Sequence, residues 1–403
     1  MTEPQPGIYG GVDTHRDLHV AAVVDQTGRI RDVESFPATL AGYRRLLRWM
    51  RGHGELVRVG VEGTGSYGAG LARHLASEEV EVLEVNRPNR QTRRQRGKND
   101  TVDAEAAARA ALNGEATAAP KSGDGIVESI RAIRVAFCST RNARTRVSNQ
   151  LRDLIVCAPD QLRRDLEDLD GPARAERAAR FRPGDPVDPT EGTKLAMRTL
   201  ARQYQALTDD LDELRDQLDT LTQRANPALR AAVGVGADVA SILLIAAGDN
   251  AERLTSDAAL AALCGASPVE ASSGKTVRHR LNQGGNRQAN HALWRIAMVR
   301  LTCHPATRAY AQRRRAEGKS TREIIRCLKR YIAREIYRLL TNPHPVADRA
   351  ELRERRTRAG ISLATAANAL NTQPSRLSEI ERNTRPLQAL EHRYRLWLDQ
   401  NAA

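Results

Sequence analysis

The chain has 403 residues, enough for two to four domains. Its 63 Lys and Arg residues against 49 Asp and Glu give a net charge of +14, which points to a polyanionic partner, nucleic acid ahead of a membrane surface or an acidic protein. No apolar run approaches the ~20 residues of a membrane helix, the five scattered cysteines form no Cys-x-x-Cys pair and argue against zinc or a disulfide framework, and residues 1–6 lack the apolar core of a signal peptide, so no membrane partner and a cytoplasmic location are expected.

Residues 7–37 alternate as strands and turns, with Asp25-Gln26-Thr27-Gly28 as one turn. The apolar run Ile8–Val12 ends on Asp13, and a second, Val57–Val61, ends on Glu62. Between them, residues 39–51 have helical spacing, with Leu40, Tyr43, Leu46 and Leu47 on one face. A helix near 66–77 and a strand over 80–85 follow. Residues 87–98 hold six basic groups and no acid. Directly after them Asp100 and Asp103 stand at i, i+3 where an alanine-rich helix, 101–112, begins. An antiparallel start followed by alternating helix and strand predicts an α/β domain over 1–125. A carboxylate at a strand end is costly without a positive partner. Converging carboxylates repel one another, and a divalent cation such as Mg2+ is the usual remedy. Asp13, Glu62, Asp100 and Asp103 are therefore the candidate metal ligands. A cage of this kind beside a basic surface suits phosphodiester cleavage.

Residues 126–225 are read as a helical and coiled-coil segment. The stretch 126–157 is helical and basic, and Arg141, Arg144 and Arg146 fit either a phosphate track or a solvated face. Residues 159–192, rich in Pro, Gly, Asp and Arg, read as a linker or mobile insertion. From Met197 to Leu221 an a/d seam runs through Met197, Tyr204, Leu211, Leu218 and through Leu200, Leu207, Leu214, Leu221. Its partner is a second copy or the helix at 126–157, and a helix of a globular bundle is the plainer alternative.

A mainly helical domain is expected over 226–345. Gly234 and Gly236 open a helix, where free backbone N–H groups hold phosphate. The missing third glycine disfavours a dinucleotide site, and a helix-hairpin-helix-like element that grips DNA backbone fits better, with plain helix packing as the alternative. Residues 271–316 contain no acid at all. They begin with the turn Ser272-Ser273-Gly274-Lys275 and a basic loop, followed by a Gly-Gly-Asn turn into a helix carrying Arg287, Arg295 and Arg300. Residues 350–403 form an extra helical tail in which 372–382 reads as the second helix of a helix-turn-helix, similar to phage-type repressors. The nucleic-acid contacts expected are Arg93, Arg94, Arg96, Lys98, Gly234, Gly236, Lys275, Arg278, Arg280 and Arg287.

With these residues in place, the chain resembles the DEDD transposases of the insertion-sequence family numbered one-ten, relatives of the Piv-type DNA invertases. The resemblance rests on Gly11-Val12-Asp13-Thr14-His15-Arg16-Asp17, Val61-Glu62-Gly63-Thr64-Gly65-Ser66-Tyr67, Lys98-Asn99-Asp100-Thr101-Val102-Asp103-Ala104, Val233–Gly236, Ser272–Lys275 and Gly285-Asn286, and covers about residues 7–340. It implies a RuvC-like (RNase H-like) N-terminal domain, a coiled-coil segment and a compact C-terminal transposase domain. It assigns Asp13, Glu62, Asp100 and Asp103 as Mg2+ ligands and Ser273, beside Ser272, as a nucleophile that joins DNA covalently. It also implies donor and target double-stranded DNA, a structured bridge RNA that pairs with both, a homodimer or homotetramer, and a bacterial, nucleoid-associated setting. The tail lies outside the family pattern.

Two other functions compete. A RuvC-like nuclease or Holliday-junction resolvase would use water as nucleophile, with Ser273 as turn filler. A regulator would bind an operator through the tail, but capping does not explain acids at the strand-terminal positions Asp13 and Glu62. The 3% aromatic content offers few stacking platforms for base reading by side chains, in keeping with a guide RNA that reads the sequence.

Overall fold

The computed structural model describes residues 7–85, 99–272, 274, 279–280, 282, 284–343, 350–381 and 387–401. The chain forms two compact units, Met1–Gly125 with Ala247–Thr255 and Ile126–Ala246 with Ser256–Ala403.

The first unit is a five-stranded mixed sheet with helices. The strands are β1 (Gly7–Thr14), β2 (Leu18–Asp25), β3 (Ile30–Pro37), β4 (Glu55–Glu62) and β5 (Val82–Val85), in the order β3-β2-β1-β4-β5. β1 runs antiparallel to β2 and parallel to β4, and β4 runs parallel to β5. The antiparallel start and the later helix–strand alternation are as the sequence indicates. Its α-helices among the described residues are α1 (Leu40–Arg51), α2 (Ala69–Ser77) and α3 (Asp100–Leu112).

Side-chain alternation along β1 and β4 divides the work between the two faces of the sheet. Ile8 and Val12 of β1 and Val59 and Val61 of β4 join Leu46, Leu47 and Met50 of α1 and Leu71 and Leu75 of α2 in one core. The intervening positions face α3. A Cβ on Gly11 would lie 2.1 Å from the Ala108 nitrogen, and one on Gly60 would lie 2.5 Å from the Ala107 carbonyl oxygen. Ala104, Ala107, Ala108 and Ala111 of α3 are fully buried. An alanine stripe on a paired glycine floor brings this helix far closer to the sheet than larger side chains would allow.

In the second unit the helices Ile126–Val156 and Pro189–Ala225 form an antiparallel hairpin. Leu151 and Ile155 meet Met197 and Ala201, and further along Arg144 lies over the Tyr204 ring at 5.8 Å. Of the expected seam, Met197, Leu211 and Leu218 are buried, while Leu200, Leu207, Leu214 and Leu221 are half-buried. The seam's partner is thus the helix at 126–156 of the same chain.

Residues 159–192, expected as a linker or mobile insertion, are folded over much of their length. They carry the helices Asp160–Arg164 and Gly171–Ala179, whose Leu162, Ala175 and Ala178 share a core with Leu151, Ile155 and Met197. The turn-forming residues are helix starts. Asp170 caps a helix with Pro in its first turn and accepts from the Ala173 N–H, and Asp188, before Pro189, accepts from the Thr190 N–H.

Beyond the hairpin come the helices Pro227–Ala231, Ala237–Ala247, Asp257–Leu263, Arg287–Cys303, Pro305–Ala316 and Thr321–Thr341, with a two-stranded ribbon of Val269–Glu270 and His279–Arg280. Among the described residues of the tail, the helices Ala350–Arg358, Leu363–Ala369, Pro374–Glu381 and Gln388–Asn401 pack around Leu352, Ala366, Leu377, Ile380, Tyr394 and Leu398. Inside that small core the Glu381 carboxylate accepts from Arg356 at 2.7 and 3.0 Å and from the Tyr394 hydroxyl at 2.6 Å.

Candidate functional site

The two strand-terminal acids follow the glycine floor by two residues each, in the repeated pattern Gly11-Val12-Asp13 and Gly60-Val61-Glu62. Gly11 is registered with Gly60 and Val12 with Val61. Positions two apart on a strand share a face, so Asp13 and Glu62 belong to the face covered by α3, at the C-terminal edge where that helix begins. Asp100 and Asp103 occupy its first turn, capped by Asn99, whose side chain accepts from the Thr101 N–H at 3.1 Å. The positive end of the helix favours carboxylates there. Thr14 closes the edge by donating from its hydroxyl to the Glu62 backbone carbonyl at 2.8 Å. Gly63, at φ +71°, then turns the chain away.

At this edge Asp13, His15 and Asp100 offer ligand atoms all within 4.8 Å of one another. The His15 Nε2 lies 3.2 Å from the Asp13 carboxylate and 3.3 Å from that of Asp100. Asp103 stands one helical turn beyond Asp100, and Glu62 on the neighbouring strand end. Both border this trio without joining the 4.8 Å group. His15, absent from the sequence-derived ligand set, is the addition. Its signal was its position, two residues after Asp13 in the turn that leaves β1.

Asp13 is buried, and burial pushes its carboxyl above the ordinary value. His15 opposes that rise, while Asp103 and Asp100 add to it. A buried carboxylate facing two more carboxylates is short of positive charge, and the oxygen donors Asp13 and Asp100 suit a hard divalent cation such as Mg2+ or Mn2+. The donor set thus fits a divalent metal.

In the second unit the helices Pro227–Ala231 and Ala237–Ala247 flank the loop that carries Gly234 and Gly236. Gly234 sits at φ +84°, and the space beside Gly236 is open for 4 Å. Two arginines that sequence reasoning left without this role hold the loop by its carbonyls. Buried Arg230 donates to Val235 O at 3.1 Å and pairs with Asp219, and Arg300 donates to Val233 O at 2.8 Å while bonding Glu335. Arg295 and Arg134 both pair with Asp238 at the start of the following helix. Arg280 ends the two-stranded ribbon and Arg287 opens the helix capped by Asn286, and both are exposed. Ser272 is described and exposed. Ser273, Lys275, Arg278, Arg93, Arg94, Arg96 and Lys98 lie outside the described residues.

Three similarities bear on this arrangement. A family model described as a transposase, of the DEDD type of IS110, matches residues 10–157. A second, described as a transposase of the IS116/IS110/IS902 family, matches residues 226–312. An uncharacterized 43.6 kDa protein of insertion element IS110 from Streptomyces coelicolor is 32% identical over 152 residues, which are 36% of this chain and 37% of the relative. The chain therefore spans well under half the length of the curated relative it matches. Both the acidic edge and the Gly234–Gly236 loop fall inside matched segments, whereas the tail falls outside them.

Proposed function

The chain belongs to the IS110 family of transposases, and we propose that it cuts and rejoins DNA strands during movement of an insertion sequence, using a divalent-metal site on the acidic edge of its first unit and the Ser273 hydroxyl as nucleophile. The observation that carries this reading is the register of Gly11-Val12-Asp13 with Gly60-Val61-Glu62 under α3, which brings acids from three elements to one edge. The strand order, with three antiparallel strands followed by two parallel ones, supports a RuvC-like first domain.

Asp13 and Asp100 would hold the metal, His15 would share in or guard that position, and Glu62 and Asp103 would join them once the cation is bound. When bound, a divalent cation supplies charge neutralisation at phosphorus and acidifies a coordinated hydroxyl. The serine Oγ–P bond forms as one P–O bond of the strand breaks. The serine proton passes to a base and the departing strand oxygen leaves as a hydroxyl, so the phosphodiester energy is conserved in a phosphoserine link and no ATP is needed. The net charge of +14 supports binding of donor and target DNA and of a structured bridge RNA, with salt-dependent phosphate contacts. Mg2+ is the cation proposed, and a homodimer or homotetramer the working assembly.

The test is a denaturing gel of the protein incubated with its labelled donor ends, target DNA and the RNA from its element in Mg2+. A transposase of this type leaves protein attached to DNA, and Ser273→Ala removes the attached species while nucleic-acid binding persists. Cleaved strands without any adduct would replace this reading with a metal-dependent nuclease or junction resolvase that uses water.

A further inference from the structure

Residues 265–268 and Arg280, at the end of the ribbon, form one wall of a groove of about 600 Å³, and the helix Thr321–Thr341 forms another. The cations of this groove fall into two sets. Arg330 and Arg334 share the Asp257 carboxylate at 2.8 and 3.1 Å, Arg314 pairs with Glu317, and Lys319 reaches Glu323 at 3.9 Å. Among the described residues Arg280, Arg326 and Lys329 form no ion pair, although the charge of Arg326 still helps hold the Glu323 carboxyl below its ordinary value.

Lys329 is half-buried, and its ammonium donates to the Asn290 side-chain oxygen at 2.9 Å. Asn290 in turn donates to the carbonyls of Cys264 and Gly265 at 2.7 and 3.1 Å. The ammonium is thus fixed in place by neutral groups. Burial, with Arg326 beside it, holds its pKa below the usual lysine value. Seven cations line the groove against one carboxylate, Glu323, and such an excess of one sign in a cleft attracts an anion. The exposed ring of Tyr331, set edge-on to Tyr310 at 5.7 Å, lines the same groove. An exposed aromatic in a groove with excess positive charge matches a strand with unpaired bases, which needs cations for its phosphates and a ring for a base.

We propose that this groove binds a single-stranded DNA segment, with its phosphates against Arg280, Arg326 and Lys329 and a base stacked on Tyr331. The choice of DNA rests on the function proposed above.

Binding of a labelled 20-nucleotide DNA strand, the matching RNA strand and the matching DNA duplex to the full-length protein, followed by fluorescence anisotropy over a salt series in EDTA, tests this without cleavage. Each lost phosphate contact lowers the single-strand salt slope by about 0.7, so Arg326→Ala lowers it by about 0.7 and the Arg326→Ala/Lys329→Ala pair by about 1.4. Tyr331→Ala weakens single-strand binding roughly 5- to 100-fold and leaves the duplex and the slope alone. Arg202→Ala, exposed on the long helix, changes neither. Because Arg326 is exposed and unpaired, its variant folds even if the Lys329 variant does not, and circular dichroism melting checks both. A folded Arg326→Ala protein with the wild-type slope and affinity overturns the groove. Tighter binding of RNA than DNA, lost in the same variants, overturns the choice of DNA. Failure of the covalent-adduct assay with these binding results intact would sink the transposition reading and leave the groove standing.

Discussion

Replacing Gly11 by alanine tests how α3 delivers its acids to the strand ends. The added Cβ would sit 2.1 Å from the Ala108 nitrogen and 2.3 Å from the Ala104 carbonyl oxygen, both backbone atoms that no side-chain rotation can move aside. Restoring an ordinary contact needs the helix to retreat by about 1.3 Å, the difference between 2.1 Å and the 3.4 Å at which van der Waals contact becomes ordinary. Overpacking of this kind costs about 1–3 kcal/mol, which for a unit of this size lowers the melting temperature by about 4–12 °C. The retreat also carries Asp100 and Asp103 away from Asp13, so Mn2+ affinity falls roughly 10- to 100-fold, as when the groups that support metal ligands are disturbed. Differential scanning calorimetry and isothermal titration with Mn2+ read the two effects together. Gly65→Ala is the control, since nothing lies within 4 Å of its added carbon, and its stability stays within about 0.5 kcal/mol of wild type. A Gly11→Ala protein with wild-type melting and wild-type Mn2+ binding would refute the claim that close helix approach positions the acids.

Three further outcomes follow from the same coordinates. The raised Asp13 carboxyl binds its proton more readily folded than unfolded, so its contribution to stability is full at low pH and is lost as pH rises through the folded value. Asp13→Asn therefore melts no lower than wild type at pH 7 in EDTA, the gap closes below the ordinary carboxyl range, and added Mg2+ stabilises only the wild type, by about 2.7 kcal/mol at a hundredfold excess over Kd. Arg230→Ala empties a site where the side chain is 1% exposed and frees the Val235 carbonyl, so urea unfolding of the second unit shifts by about 2–5 kcal/mol. Tyr394→Phe deletes the 2.6 Å hydroxyl bond to buried Glu381 and costs the tail about 1.5–3 kcal/mol, visible as faster hydrogen exchange confined to residues 350–401.

The acids at 13, 62, 100 and 103 were legible because strand-terminal carboxylates and an i, i+3 pair at a helix start are unusual on their own terms. The approach of Asp13 to Asp100 was not, because it depends on Gly11 and Gly60 lying side by side under an alanine stripe, a register that neither segment contains alone, and Glu62 and Asp103 stay outside that group. His15 carried no such signal in the sequence, since only the fold brings the first turn of α3 to it. The Pro, Gly and Asp residues at 159–192 were ambiguous for a physical reason, because the residues that break helices also start them. The seven-residue period at 197–221 gave an amphipathic helix but not its partner, which the chain supplies by turning back after Val156. In Thr321–Thr341 the cations alternate with buried Ile324, Leu328 and Ile332, as on any solvated helix face. Which of them lack counter-charges depends on Asp257, far upstream in sequence.

The central claim is that acids from separate elements meet around one divalent cation. Anomalous diffraction from crystals soaked in Mn2+ measures this directly. The account predicts a peak bonded to the carboxylates of Asp13 and Asp100, lost in Asp13→Asn crystals. Peaks only at other surface carboxylates, with the Asp13–His15–Asp100 cluster unchanged and metal-free, would contradict it.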